Sequence, residues 1–241
     1  MFSQASPKHG IGFLPSLAAD LLASDRVRPL VLSQLERRLV AEAQQHADPS
    51  RPQRVLQDKL DMTRALIRSA ERALRRKQIS PRVLRRLLHS LLANVALHRD
   101  RSMQTAIQSF RERHNGQSPP TTMVISPTKT CNLQCVGCYA SSGPTGERLE
   151  WDVFDRIITE AKTLWGLRFI TISGGEPLSY RSQGKDLLDM AARHNDCFFM
   201  MYTNGTLIDE PMARRLAEVG NLTPAISVEG LEERTDARRG P

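Results

Sequence analysis

The sequence predicts an α/β fold, a parallel sheet of about four strands built from βαβ units, preceded by an all-α segment. Three observations carry this. Hydrophobic periodicity is helical up to about residue 114 and then alternates between short β-rich runs and helical stretches. The turn-rich "NGQSPP" at 115–120 separates the two patterns. Each β-rich run after it ends in a polar or glycine-rich motif. The expected domains are a basic helical module over 1–118 and an α/β domain over 121–241.

The elements follow in chain order. "IGFLPSLAADLL" at 11–22 lies behind Lys8, contains Pro15 and Asp20 and lacks a small-residue cleavage site, so it reads as a first helix and not a signal peptide. From 53 to 78, Val55, Leu56, Leu60, Met62, Leu66, Ile67 and Leu74 recur at roughly helical spacing, while Arg64, Arg68, Arg72, Arg75 and Arg76 fall on another face. Ser80-Pro81 opens the next helix, with serine as cap and proline in the first turn. A fourth helix is expected at about 101–114.

Beyond the turn, "TTMVIS" (121–126) is the first strand, and 151–165 is helical through Phe154, Ile157, Ile158, Ala161 and Leu164. "RFITIS" (168–173), a helix near 183–194, "CFFMMY" (197–202), a helix opened by Asp209 and Pro211 and closed by Gly220, and "LTPAISV" (222–228) complete the series. Strand and helix alternating at this rhythm imply βαβ units and a parallel sheet. Right-handed crossovers then leave all the strand C-termini on one edge, where barrels of this kind build their sites.

Composition narrows the function classes. The chain has 241 residues, 40% of them hydrophobic, enough for a packed core. No run of about 18 apolar residues suggests a membrane span. The net charge is +8, and residues 1–118 hold 21 Lys and Arg against 10 Asp and Glu. That basic module is expected to present a solvated arginine face, or to meet an anionic partner such as a nucleic acid or a membrane surface. Four cysteines do not make a disulfide framework in a chain this long. A cytoplasmic location is expected.

Three of those cysteines, Cys131, Cys135 and Cys138, stand in "CNLQCVGC" with the spacing CxxxCxxC. Three thiolates on one short loop can cap three irons of a cubane and leave the fourth open. A structural zinc site usually takes four protein ligands. Cys197 begins a predicted buried strand at the end away from the rim, and the nearest histidine, His114, belongs to the preceding helix. Spacing alone leaves zinc, a cluster and chance open. Cys197, Phe198, Phe199, Met200, Met201, Trp151 and Trp165 read as core, and the six histidines show no ligand spacing.

The motifs taken together resemble the radical S-adenosylmethionine (SAM) superfamily. They are Cys131-x-x-x-Cys135-x-x-Cys138, Gly174-Gly175-Glu176-Pro177, Thr203-Asn204-Gly205 and Ser227-Val228-Glu229-Gly230, in that order over roughly residues 121–241. The resemblance implies a 4Fe–4S cluster on the three cysteines, with SAM chelating the open iron. It implies reductive cleavage of SAM to methionine and a 5′-deoxyadenosyl radical, which abstracts hydrogen from a substrate. Gly174 and Gly175 are expected to let backbone approach the methionine moiety, and Glu176 to accept hydrogen bonds from its ammonium. Asn204 and Ser227 are expected to reach ribose or carboxylate. A peptide is the first expectation for the substrate, and flavodoxin or ferredoxin for the electron donor. No side chain is assigned a catalytic proton transfer.

The sequence departs from the family pattern in three places. Gly137 stands where an aromatic residue usually precedes the third cysteine, and Tyr139 is expected to supply the ring instead. Glu229 stands where aspartate is more common. The family's partial barrel has six strands and four are read here. Since the chain begins with Met1, the sequence is expected to be incomplete at its C-terminus, without the last two strands or a trailing auxiliary-cluster domain of the SPASM type. The alternatives are a non-enzymatic metal-binding protein with a nucleic-acid- or membrane-surface-binding helical module, and a catalytically dead fragment.

Overall fold

The computed structural model describes residues 20–22, 24–45, 52–88 and 101–240. The chain divides into two compact units, Met1–Arg85 and Arg86–Pro241. The helix expected over 11–22 falls outside the described residues except at 20–22, which are helical, and most of the apolar stretch 82–98 also falls outside them.

In the first unit α1 (Arg28–Gln45) packs against α2 (Gln53–Arg75). Leu32 of α1 and Leu60 and Leu74 of α2 are buried, and Arg64 reaches Glu36 at 3.1 Å. Met62 and Leu66, grouped with the apolar positions by spacing, are exposed. Met62 sits two positions from the buried Leu60, about 200° around the helix, and Leu66 six positions, about 240°, so both leave the buried stripe. Arg68, Arg72, Arg75 and Arg76 are exposed, as a solvated basic face requires. Ser80 Oγ accepts from Val83 N–H at 3.2 Å and caps α3 (Pro81–Leu87).

The second unit opens with α4 (Arg101–Arg113), followed by β1 (Thr122–Ile125), α5 (Trp151–Trp165) and β2 (Phe169–Ile172). A short antiparallel hairpin, β3 (Arg181–Ser182) and β4 (Lys185–Asp186), precedes α6 (Leu187–Arg193). Then come β5 (Phe198–Thr203), α7 (Glu210–Val219), β6 (Leu222–Ile226) and α8 (Glu232–Arg239). The compact units divide at Arg85–Arg86, whereas the sequence pattern changes at 115–120. Between them lies α4, whose buried Met103 and Ala106 belong to a helix packed on α5.

The main sheet has the order β1-β2-β5-β6, every neighbouring pair parallel. One face is apolar and covered by helices. Ile125, Ile170, Ile172, Phe199, Met201 and Leu222 form one core with Trp151, Phe154 and Ile158 of α5, Leu188 and Met190 of α6, and Leu216 of α7. Cys197 is buried in the same core. Period-2 alternation sends Val124, Met200 and Tyr202 to the other face, where Val124 and Tyr202 are exposed. Met200 is half-buried there, so it is not part of the helix-side core.

Local chemistry sets the helix limits. Asp209 Oδ1 accepts from Met212 N–H at 2.8 Å, and Gly220 closes α7 in the left-handed conformation. Asp186 and Asp189 form a capping box on α6. The hairpin ahead of that box shortens the helix expected over 183–194, and its left-handed turn at Gln183-Gly184 carries no apolar periodicity to announce it. Sequence reading also missed α8, which buries no residue and so has no apolar stripe. No helix among the described residues is long and apolar enough to cross a membrane.

Candidate active site at the strand-end rim

Parallel pairing brings the loops after β1, β2, β5 and β6 to one rim, and hydrogen bonds tie them together there. The loop after β1, residues 126–150, carries the three cysteines. Carbonyls of the β1 end and of this loop receive the loop after β2: Ser173 N–H donates to Ile125 O, Gly175 N–H to Thr128 O and Glu176 N–H to Thr130 O, each at 2.9 Å. The glycines are required by this contact. A Cβ on Gly174, where φ is +115°, would lie 2.5 Å from Thr128 O, and one on Gly175 would lie 2.2 Å from Thr130 O. Both are far inside van der Waals contact, so the close approach served by this pair in the structure is to the cysteine loop itself.

Glu176 follows directly and is 0% exposed. Its Oε1 accepts from Leu178 N–H at 3.1 Å and from Thr203 Oγ1 at 2.7 Å, while Oε2 accepts from Asn204 N–H at 2.9 Å. The carboxylate therefore braces the loop after β2 against the end of β5. One lone pair, on Oε2, is left uncommitted by these three bonds.

Asn204 continues the chain of contacts. Its Nδ2 lies 2.9 Å from Asn132 Oδ1 and 3.9 Å from Cys131 Sγ, and its Oδ1 accepts from Thr206 N–H at 3.0 Å. Asn132 Nδ2 in turn donates to Thr206 Oγ1 at 2.8 Å. Tyr139, 81% exposed, hydrogen-bonds Ser173 Oγ through its hydroxyl at 2.7 Å. Ser227 is half-buried, and its N–H donates to Thr203 O at 2.9 Å, extending the β5–β6 ladder to the rim. Sequence reading gave Thr203 only as part of the Thr203-Asn204-Gly205 motif, with no role, and assigned none to Asn132 or Ser173, whose only signal is that they flank Cys131 and Gly174.

The three thiols are free and partly exposed. Their surroundings differ. Burial pushes the Cys131 thiol up, the nearby Glu176 adds to this, and the Leu133 N–H at 3.4 Å from its sulfur opposes it. Cys138 is pulled below the ordinary thiol range, chiefly by the Ser142 backbone N–H, with burial opposing and Ala140 and Ser141 assisting. Such donors stabilise thiolates, the form that binds metal. Among the described residues no three His, Cys, Asp or Glu side chains gather closely enough to share one ion. A cubane holds each thiolate on a separate iron, a role that three cysteines on one loop can fill. The donor set on this loop fits the cluster.

Residues 125–241 match the radical SAM superfamily. Over 121 residues the chain is 36% identical to the Fe-coproporphyrin III synthase of Methanosarcina barkeri, covering 49% of this chain and 29% of that protein. Over 141 residues it is 32% identical to the mycofactocin maturase MftC of Mycolicibacterium smegmatis, covering 58% and 35%. The chain thus spans about a third of the length of these curated relatives. Among solved structures, Streptococcus suis SuiB bound to the precursor peptide SuiA aligns with a TM-score of 0.46 and 23% identity, over 57% of this chain and 30% of that one. Residues 125–241, the three rim cysteines among them, thus carry the match to the radical SAM superfamily, whose members are enzymes that use a 4Fe–4S cluster and SAM.

Proposed function

We propose that this chain is a radical SAM enzyme, with the cluster held by Cys131, Cys135 and Cys138, and that it modifies a peptide. The observation that carries the reading is the convergence of the cysteine loop with Gly174-Gly175-Glu176 and Asn204 through direct hydrogen bonds. When bound, the two cofactors supply one-electron cleavage of SAM and abstraction of a substrate hydrogen. The protein's own part is to hold, orient and shield. Glu176 fixes the end of β5 and keeps one acceptor position on Oε2 for the SAM ammonium. Asn204 spans from Asn132 to the Cys131 sulfur, and Ser227 and Tyr139 present a hydroxyl and a ring at the same rim.

The peptide assignment is supported by the likeness to a maturase and by the sheet face turned away from the helices, where Val124 and Tyr202 offer exposed apolar surface. An electron donor of flavodoxin or ferredoxin type would deliver the electron. The exposed arginines of α2 would favour an anionic partner, by charge alone. The test is anaerobic incubation of the iron- and sulfide-reconstituted protein with SAM and dithionite. The reading expects 5′-deoxyadenosine and methionine, and faster release when the correct peptide is added. A protein that holds its cluster and binds SAM but releases no 5′-deoxyadenosine would overturn it.

A further inference from the structure

Helix α8 is held in place without a hydrophobic anchor. It has eight residues, none of them buried, and Leu231 ahead of it is 87% exposed. A helix this short is marginal in water on its own. What fixes it is polar. Glu229, at the end of the β6 loop, accepts from Arg238 Nη1 at 3.0 Å and also from Arg239 Nη2. The Glu229 carboxylate thus reaches from the start of the helix to its last turn.

That last turn touches the cysteine loop. Val136 lies between Cys135 and Cys138, and its N–H donates to Arg238 O at 2.7 Å. The final carbonyls of a helix have no partner within it. Here the loop supplies one donor, and the helix supplies the loop with an acceptor. Val136 itself is 71% exposed, so no side-chain burial holds this part of the loop.

We propose that Glu229 is a positioning residue for the cysteine loop: it holds Arg238 and Arg239, and through the Arg238 carbonyl it sets the backbone between Cys135 and Cys138. This rests on the reading that the loop holds the cluster. A single exposed ion pair contributes little. In this case two guanidiniums converge on one carboxylate and no residue of the helix is buried, so the pair bears directly on where the helix end sits. The hydrogen bond from Arg239, with help from Arg238, holds the Glu229 carboxyl below the usual carboxylate range. The glutamate that looked like a mild departure from the family pattern thereby acquires a role on the cluster side of the rim.

Two measurements on Glu229→Gln test this. The first is hydrogen exchange at the Val136 amide in the metal-free chain. Loss of the anchor should speed exchange there about tenfold while leaving the amides of β2 and β5 unchanged. The second is the rate at which a ferrous chelator strips the anaerobically reconstituted protein, which should rise by a similar factor. Glu229→Asp should recover part of both effects. Unchanged exchange at Val136 overturns the proposal, and so does faster exchange with an unchanged stripping rate. If the wild-type chain takes up no cluster, the reading beneath the proposal fails and the assignment falls with it. The exchange result on the metal-free chain shows separately whether the latch exists.

Discussion

Replacing Glu176 tests the brace between β2 and β5. Its carboxylate accepts three hydrogen bonds, from Leu178 N–H, Thr203 Oγ1 and Asn204 N–H, and is fully buried. Glu176→Gln keeps the shape but puts an NH2 group where one oxygen stood. At least one donor then faces a donor, with Asn204 N–H the exposed case if Oε1 keeps its two partners. Leaving one buried donor unsatisfied costs about 1–3 kcal/mol. Glu176→Ala strands all three donors, but it also removes the cost of burying a carboxylate, which offsets several kcal/mol. A net loss of about 2–4 kcal/mol follows for alanine and about 1–3 kcal/mol for glutamine. For a chain of this size each kcal/mol shifts the melting midpoint by about 2–4 °C. The assay is thermal unfolding of the metal-free protein together with hydrogen exchange at Asn204, which should quicken in both variants. A glutamine variant with unchanged midpoint and unchanged Asn204 protection would refute the bracing argument.

Three further outcomes are expected. Gly175→Ala should prevent iron uptake, because its Cβ would meet the Thr130 carbonyl at 2.2 Å, whereas Gly137→Ala, with nothing within 4 Å and only the cost of its φ of +70°, should retain it; iron content after anaerobic reconstitution separates the two. Asn204→Ala should leave iron content intact but lower the cluster's midpoint potential, since it removes a donor 3.9 Å from Cys131 Sγ, and protein-film voltammetry reads this directly. His194 is pushed below its ordinary value by burial and by Lys162, with Asp155 at 2.8 Å opposing, so the unfolded chain binds its proton more readily than the folded one. Its contribution is therefore present above about pH 6.5 and is lost as the pH falls below that value, and denaturant titrations from pH 8 to 5 should show a shallower decline in His194→Gln.

The core of the fold was legible because the chain obeys simple periodicities. β2 and β5 read as apolar runs, and α5 matches its expected limits because Phe154, Ile158 and Ala161 repeat at helical spacing and are all buried. Asp209 and Gly220 announced α7 through cap chemistry alone. The hairpin at 181–186 and α8 were illegible for a common reason. Neither buries an apolar stripe, so nothing in the pattern marks them. At the site, the cysteines and the three other motifs were readable as spacing, but their mutual contacts were not. The sequence suggested that Gly174 and Gly175 make room for a ligand, while the structure packs them on the carbonyls of Thr128 and Thr130. It suggested Glu176 as a ligand, and the structure first spends its oxygens on Thr203, Asn204 and Leu178. Such contacts join residues tens of positions apart, and only the parallel register of the sheet brings them together.

The most direct test of the whole account is iron and acid-labile sulfide counting, with EPR after reduction, on anaerobically reconstituted protein and four cysteine variants. Three thiolates and one open iron predict about four irons and four sulfides per chain and a cubane signal. Cys131→Ala, Cys135→Ala and Cys138→Ala should each abolish it, while Cys197→Ala, whose thiol is buried in the core, should keep it. Full cluster retention in Cys135→Ala, or a wild-type protein that takes up zinc and no sulfide, would contradict the account.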